Sequence, residues 1–190
     1  SRFVVDAAPV ERHVLPVRLH RELLQVGGEA LKVLAVRHHA DRLRADYWRN
    51  HGTTLAGLMR EHNADTTPYL TEVHDIPLDR LSPDPVLASA IAALPGRKIV
   101  YTNAAAAYGE RVVAARGLSN LFDAVYGIEH ADYHPKPDAA AYARVFARDG
   151  LDPRSAAMFE DDPRNLAVPH DLGLRTVLVA PAPEAGDHIH

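Results

Sequence analysis

The sequence contains no cysteine, which excludes disulfide bonds and zinc sites built on thiolates. It also lacks any run of about 18 apolar residues, so no membrane-spanning helix is expected. No signal peptide is visible, because the first apolar stretch, residues 3–5, is far too short for one. We therefore expect a cytoplasmic protein.

A strong excess of charge of one sign is missing as well. The formal net charge is −4, which gives no electrostatic reason to expect nucleic-acid binding. Apolar residues make up 47% and charged residues 24%, as in ordinary globular proteins. A length of 190 residues suits one domain, or a core with a modest insertion. The oligomeric state is not indicated.

The second half of the chain alternates short apolar runs with helical patterns. Short apolar strands separated by helices are typical of a parallel sheet that is buried on both faces. The predicted fold is therefore a doubly wound α/β core of Rossmann type, with sites at the carboxyl ends of the strands. Strands are predicted at 98–102, 156–159 and 174–179, and helices at 104–116, 138–149 and 163–172.

The region from about 20 to 90 differs in character, because it combines helical spacing with many charges. We interpret it as a helical cap inserted after the first strand. The predicted domains are an α/β core formed by 1–12 and 92–190, and a cap formed by 13–91. Within the cap, Tyr47, Trp48 and His51 are candidates for contact with a substrate base, or for packing.

Thr102 and Asn103 lie at the end of the predicted strand, directly after residues 98–101. A hydroxyl and a backbone N–H at a strand end can hold a phosphoryl oxygen, and the N-terminus of the next helix adds positive potential. The alternative is a plain strand-to-helix turn in which Thr102 or Asn103 caps the helix.

Lys136 lies between two prolines, Pro135 and Pro137. The prolines stiffen the backbone, so the ammonium group can be aimed at an anion. The alternative is an exposed loop lysine ahead of a helix that begins at Asp138.

Three consecutive carboxylates, Glu160, Asp161 and Asp162, follow the predicted strand 156–159. They repel one another, and a hard cation such as Mg²⁺, which prefers oxygen ligands, would relieve that repulsion. The alternative is an acidic helix start, which Asp favours.

The order of these three clusters resembles motifs two, three and four of the haloacid dehalogenase superfamily. The amino-acid sequence of these segments is most similar to the pyrimidine 5′-nucleotidase-like branch of that superfamily. The segments that carry the resemblance are LPGRKIVYTN at 94–103, DYHPKP at 132–137 and MFEDDPRNL at 158–166, with further matches in 47–58 and 73–76.

The resemblance implies a magnesium-dependent phosphate-monoester hydrolase that acts on a small molecule such as a nucleoside monophosphate. In the family, an aspartate attacks phosphorus to form an aspartyl-phosphate, and a second aspartate two positions later serves as acid and base. Carried over to this chain, it implies Asp6 as nucleophile, Thr102, Asn103 and Lys136 as phosphate-binding groups, and Asp6, Glu160, Asp161 and Asp162 at or near the metal.

The first motif departs from the family pattern. Asp6 follows an apolar run, as the nucleophile should, but the acid/base position holds Ala8. A catalytically impaired relative that only binds phosphate or a nucleotide is therefore an alternative, and Asp6 could equally be a strand-end aspartate without a catalytic role. A dehalogenase of the same superfamily would tolerate Ala8, but halide displacement needs no acidic metal cluster.

The segment 10–39 is rich in Arg, His, Val and Leu and shows no resemblance to the family, which returns near Arg44. Codons permitted for 11–19, displaced by one base, can spell the missing first-motif signature. We therefore hypothesise that this segment is translated out of frame, which the coding DNA would test.

Overall fold

The computed structural model describes residues 2–5, 30–180, 186 and 189. Its centre is a five-stranded sheet in which every pairing is parallel. The order along the sheet is β3-β2-β1-β4-β5, so the direction of winding reverses at β1. The strands are β1 (Arg2–Val5), β2 (Arg97–Tyr101), β3 (Ala124–Tyr126), β4 (Ala156–Glu160) and β5 (Arg175–Leu178). The predicted doubly wound fold is confirmed.

Seven α-helices lie in the described part of the chain. They are α1 (Ala30–His51), α2 (Thr54–His62), α3 (Thr66–His74), α4 (Pro85–Ala93), α5 (Ala106–Ala115), α6 (Ala139–Asp149) and α7 (Arg164–Asp171). The predicted ends of α6 are confirmed: Asp138 Oδ1 accepts a hydrogen bond from the Ala140 N–H at 2.9 Å, and Gly150 closes the helix at φ 68°. None of the described helices is long and apolar enough to cross a membrane.

Side chains of β2 alternate between the two faces of the sheet, as strand geometry requires. Ile99 and Tyr101 pack into one core with Met158 of β4 and Tyr142 of α6. Val100, between them, packs into a second core with Ile91, Val113 and Leu118. Each of the three side chains at 99–101 is at most 1% exposed. Helices thus cover both faces, which explains why the strand is apolar from Ile99 to Tyr101.

The described chain divides into two compact units. One unit comprises Ser1–Pro9 and Pro77–His190, and the other comprises Val10–Ile76. The chain therefore returns to the sheet unit at Pro77, earlier than the predicted boundary at 92. The reason is α4, whose Ile91 packs against Val100 in the second core. The segment that precedes α4 is held by Arg116, which bonds the carboxylate of Asp84 at 2.8 Å.

The second unit is described here by α1, α2 and α3. Tyr47 of α1 is buried, and its hydroxyl lies 2.6 Å from Nε2 of His62 at the end of α2. Gly57 faces this ring so closely that an added Cβ would overlap the ring carbons of Tyr47. The α1–α2 contact therefore depends on glycine at 57. Helix α1 also covers 30–39, the end of the segment for which a shifted reading frame is hypothesised.

Candidate active site

Thr102 stands where β2 ends, at the carboxyl edge of the sheet. It is fully buried, and its N–H donates to the carbonyl of Tyr126 at the end of β3 at 2.9 Å. Its Oγ1 accepts a hydrogen bond from the N–H of Ala104 at 3.1 Å. Both bonds hold Thr102 at the strand end, as predicted. The second bond also stabilises the turn that follows the strand.

Lys136 lies in the loop between β3 and α6, after two non-glycine residues in the left-handed region, Asp132 at φ 50° and Tyr133 at φ 60°. Its side chain is fully buried, and Nζ donates to Oε2 of Glu160 at 2.8 Å and to the carbonyl of Tyr101 at 3.3 Å. Lys136 is thus no exposed loop lysine. It connects the β3 side of the sheet with the end of β4, across the position of β1.

Asn103 contacts the loop of Lys136 through both ends of its side-chain amide. The N–H of Lys136 donates to Asn103 Oδ1 at 2.8 Å, and Asn103 Nδ2 donates to the carbonyl of Lys136 at 3.1 Å. The structure places the Asn103 amide against the backbone of Lys136, and the predicted role of Asn103 in binding substrate stays a prediction.

Glu160 is a buried carboxylate at the end of β4. In addition to Lys136, it accepts hydrogen bonds through Oε1 from Asn165 Nδ2 at 3.0 Å and from the N–H of Asp162 at 3.3 Å. Both oxygens are therefore bonded by groups of the protein, and the position of Glu160 at or near a metal ion stays a prediction.

The other two carboxylates of the acidic cluster differ from each other. Burial tends to raise the pKa of Asp162, but hydrogen bonds from the side chain and the N–H of Arg164 outweigh it and lower that pKa. Asp161 is exposed, but partial desolvation of its carboxyl raises its pKa, and the negative charge of Glu160 raises it further. Among the described residues no basic side chain forms an ion pair with Asp161.

The predicted metal set is only partly visible. Asp6 follows β1 in the sequence and, like Ala8, lies outside the described residues. Within 30–180, no three His, Cys, Asp or Glu side chains are grouped so that they could hold a metal ion. The proposed set therefore depends on Asp6 and stays a prediction.

The N-terminus of α5 is occupied by a carboxylate that the sequence did not single out. Oε1 of Glu129 accepts a hydrogen bond from the N–H of Ala106, in the first turn of α5, at 2.9 Å. Gly127 leaves room for this contact, since a Cβ there would overlap the N–H of Ala106. Glu129 thus binds one N–H of this helix end, and the expectation that the end adds positive potential for phosphate stays a prediction. The sequence signal for this contact was Gly127, which lies just after β3 and two positions before Glu129.

Three candidates in the second unit can be placed only within that unit. Tyr47 is buried against His62 and Gly57, which is a packing role. Trp48 is 44% exposed, and His51 Nε2 lies 3.4 Å from a carboxylate oxygen of Glu61.

The family of the chain follows from comparison with known proteins. The sequence model of haloacid dehalogenase-like hydrolases matches residues 4–173. The chain belongs to this family of hydrolases, whose members act on small-molecule substrates.

Solved structures of similar fold agree. L-2-haloacid dehalogenase from Xanthobacter autotrophicus has a TM-score of 0.56 at 19% identity, over 96% of this chain and 78% of that one. YfnB from Bacillus subtilis, solved with bound magnesium, has a TM-score of 0.54 at 15% identity, over 97% and 89%. The UTR4 protein from Saccharomyces cerevisiae has a TM-score of 0.53 at 14% identity, over 96% and 93%. At these identities the likeness concerns the fold.

Proposed function

We propose that the chain is a magnesium-dependent phosphate-monoester hydrolase of the pyrimidine 5′-nucleotidase type. The observation that carries the proposal is the convergence of Thr102, Lys136 and Asp161 at one edge of the sheet. The bond of 2.8 Å between Lys136 and Glu160 brings the third motif to the fourth, across the carboxyl end of β1. In an open α/β sheet, the reversal of strand order at β1 is where a ligand binds.

Lys136 and Thr102 are proposed to hold the phosphoryl group. A buried ammonium group in a water-poor environment attracts an anion more strongly than an exposed one does. Because Glu160 already balances the charge of Lys136, an arriving phosphoryl group would share the ammonium protons with that carboxylate. The proposed nucleophile is Asp6, which attacks phosphorus to form an aspartyl-phosphate that water then hydrolyses.

Asp161 is the described residue that best fits magnesium. Its pKa is raised by partial desolvation and by Glu160, so a cation would stabilise its charged form. Asp161 and Asp6 are proposed to hold the ion, with Glu160 and Asp162 behind them, bonded to Lys136 and Arg164. When bound, magnesium would neutralise charge on the phosphoryl oxygens.

The helical segment before Pro77 is proposed to serve as a cap over this site, as the order of the elements in the chain suggests. Such a cap would exclude water during the reaction. Exclusion of water matters because water would weaken the attraction between Lys136 and the phosphoryl group.

A second candidate function is a relative that binds phosphate but turns it over poorly. Ala8, at the position where the family carries its acid/base aspartate, favours it. General acid–base catalysis typically contributes about 10²–10⁴-fold, so its loss would leave a slow enzyme.

The test is a screen of phosphate monoesters with and without magnesium, together with a 2-haloacid. We expect magnesium-dependent release of phosphate, fastest from esters with good leaving groups. Phosphate binding without turnover would support the second candidate, whereas release of halide with no phosphatase activity would overturn both.

A further inference from the structure

Asn103 hydrogen-bonds both backbone groups of Lys136, its N–H and its carbonyl. Its amide oxygen accepts from the Lys136 N–H at 2.8 Å, and its amide nitrogen donates to the Lys136 carbonyl at 3.1 Å. The acceptor and the donor of the Asn103 side chain thus bind the N–H and the carbonyl of the same residue. Such a paired arrangement fixes both position and orientation, which a single bond does not.

The far end of Lys136 is held independently. Nζ donates to Glu160 at 2.8 Å and to the carbonyl of Tyr101 at 3.3 Å, and it lies 5.1 Å from the centre of the Tyr101 ring. Lys136 is therefore fixed at its backbone by Asn103 and at its ammonium group by β2 and β4. A long side chain loses much conformational freedom in this way before any ligand arrives, which favours binding.

Asn103 follows Thr102 directly, so the same turn supplies both a site residue and the group that fixes Lys136. We propose that Asn103 is a positioning residue, which sets Lys136 for the phosphoryl group and does not itself bind substrate. The inference rests on the proposed function in one respect, namely that Lys136 receives the phosphoryl group. The two hydrogen bonds between Asn103 and the Lys136 backbone do not depend on the proposed function.

A double-mutant cycle with inorganic phosphate tests the inference. Dissociation constants would be measured by calorimetry for the unmodified chain, Asn103→Ala, Lys136→Gln and the double variant. If Asn103 acts through Lys136, each single change weakens binding on the order of 10- to 100-fold, the ordinary worth of a charge-assisted hydrogen bond. The double variant then binds no more weakly than Lys136→Gln alone, because the two residues act as one unit. Losses that add in the double variant would show direct contact of Asn103 with phosphate and would overturn the inference.

Asn120→Ala is the matched control, since Asn120 is an exposed asparagine of the same unit. It should leave phosphate binding unchanged. Thermal unfolding would confirm that each variant folds. Should Lys136→Gln fail to fold because Glu160 is left unpaired, the variant that also carries Glu160→Gln takes its place as the lysine-free background.

Hydrogen exchange at the Lys136 amide provides a measurement without ligand or turnover. The Asn103→Ala variant should exchange this proton on the order of ten times faster or more, while Asn120→Ala should not change it. Unchanged exchange at Lys136 in Asn103→Ala would overturn the inference whatever the phosphate data. If the unmodified chain binds no phosphate, the proposed function fails, and this exchange rate alone decides whether Asn103 positions Lys136.

Discussion

At the scale of single residues, the buried pair of Lys136 and Glu160 governs the candidate site. Both side chains are fully buried at 2.8 Å, so neither charge is screened by water. Removing one partner of such a pair usually costs about 3–5 kcal/mol, because the other charge stays buried and unpaired. Glu160 is thus required by Lys136 whether or not it also affects a metal ion.

The first prediction concerns Ala8. Replacing Ala8 with Asp would return a carboxylic acid that can protonate a leaving group. We expect hydrolysis of nucleoside monophosphates to rise by about 10²–10⁴-fold, the usual worth of general acid–base help. Nitrophenyl phosphate should gain much less, because nitrophenolate leaves without a proton. Steady-state rates on both substrates measure the difference.

Ala8→Asn is the control for this change, since it adds a polar group of the same size that donates no acidic proton. Equal gains on both substrates, or a gain with Asn as large as with Asp, would contradict the assignment of position 8. Ordinary nucleotidase rates in the unmodified chain would contradict it as well.

The second prediction concerns Asp161. Its pKa is raised above the ordinary value of 3.8, so its charged form is unfavourable in the folded state. The sign of the pH effect follows: its contribution to stability is greatest below the ordinary pKa and falls as the pH rises through the raised one. Without metal, Asp161→Asn should therefore raise the melting temperature at pH 7 and not at pH 3. With millimolar magnesium, only the unmodified chain should gain stability.

Asp171→Asn is the control for Asp161, because Asp171 is an exposed carboxylate at the end of α7. It should alter neither the melting temperature nor the response to magnesium. A magnesium shift that persists in Asp161→Asn would remove Asp161 from the metal site.

Which residues lie at the sheet edge was readable from the sequence, because a polar residue after an apolar strand marks a carboxyl end. Thr102 was found in this way, whereas Lys136 was singled out by the two prolines that flank it and by the family resemblance. Their partners were not, since the bond of Lys136 to Glu160 and that of Asn103 to the Lys136 peptide join segments far apart in the chain. A carboxylate bonded to lysine and one that binds a cation look the same in a sequence.

At the scale of elements, the α1–α2 pair depends on one close approach. Gly57 lies against the ring of Tyr47, and Asn63 ends α2 in the left-handed region at φ 49°. Thr53 starts the helix by accepting the N–H of Ala56 at 3.1 Å. The two helices are thus joined by a short turn and by a contact that leaves no space for a methyl group.

The third prediction follows from that contact. Gly57→Ala should destabilise the second unit by about 1–3 kcal/mol, because overpacking a close contact outweighs the higher helix propensity of alanine. Urea unfolding measures the loss. A stabilised Gly57→Ala variant would show that the two helices are not packed as closely as described.

Elements were predictable where they are long or well capped. Helix α6 was placed by Asp138 and Gly150, each of which has a fixed backbone role. Strand β3 was missed because Ala124–Tyr126 has three residues, all partly exposed, and too short a run to show a pattern. The end of the inserted segment was predicted at 91, after α4, because the packing of α4 on Val100, which assigns it to the sheet unit, is not visible in the sequence.

At the scale of the whole molecule, the first strand of the chain is the middle strand of the sheet. β1 pairs with β2 on one side and with β4 on the other, over the same four residues. β2 and β4 have no contact in the ladder without it. The two halves of the sheet are therefore joined through four residues at the beginning of the chain.

The fourth prediction tests this dependence. Deleting residues 1–5 should separate the sheet into two pairs of strands and abolish cooperative unfolding of the first unit, as followed by circular dichroism. A synthetic peptide of residues 1–9 added in excess should restore the transition, and a peptide of the same composition in scrambled order should not. A cooperative transition of unchanged midpoint in the deleted chain would contradict the central position of β1.

The place of β1 also has a consequence for synthesis on the ribosome. The strand Arg2–Val5 emerges before both of its partners, since β2 begins only at Arg97 and β4 only at Ala156. Pairings between such distant segments form slowly, and apolar strand edges exposed in the meantime favour aggregation. β1 therefore stays unpaired while α1 to α4 are translated, and a chaperone that binds this strand would protect it during that interval.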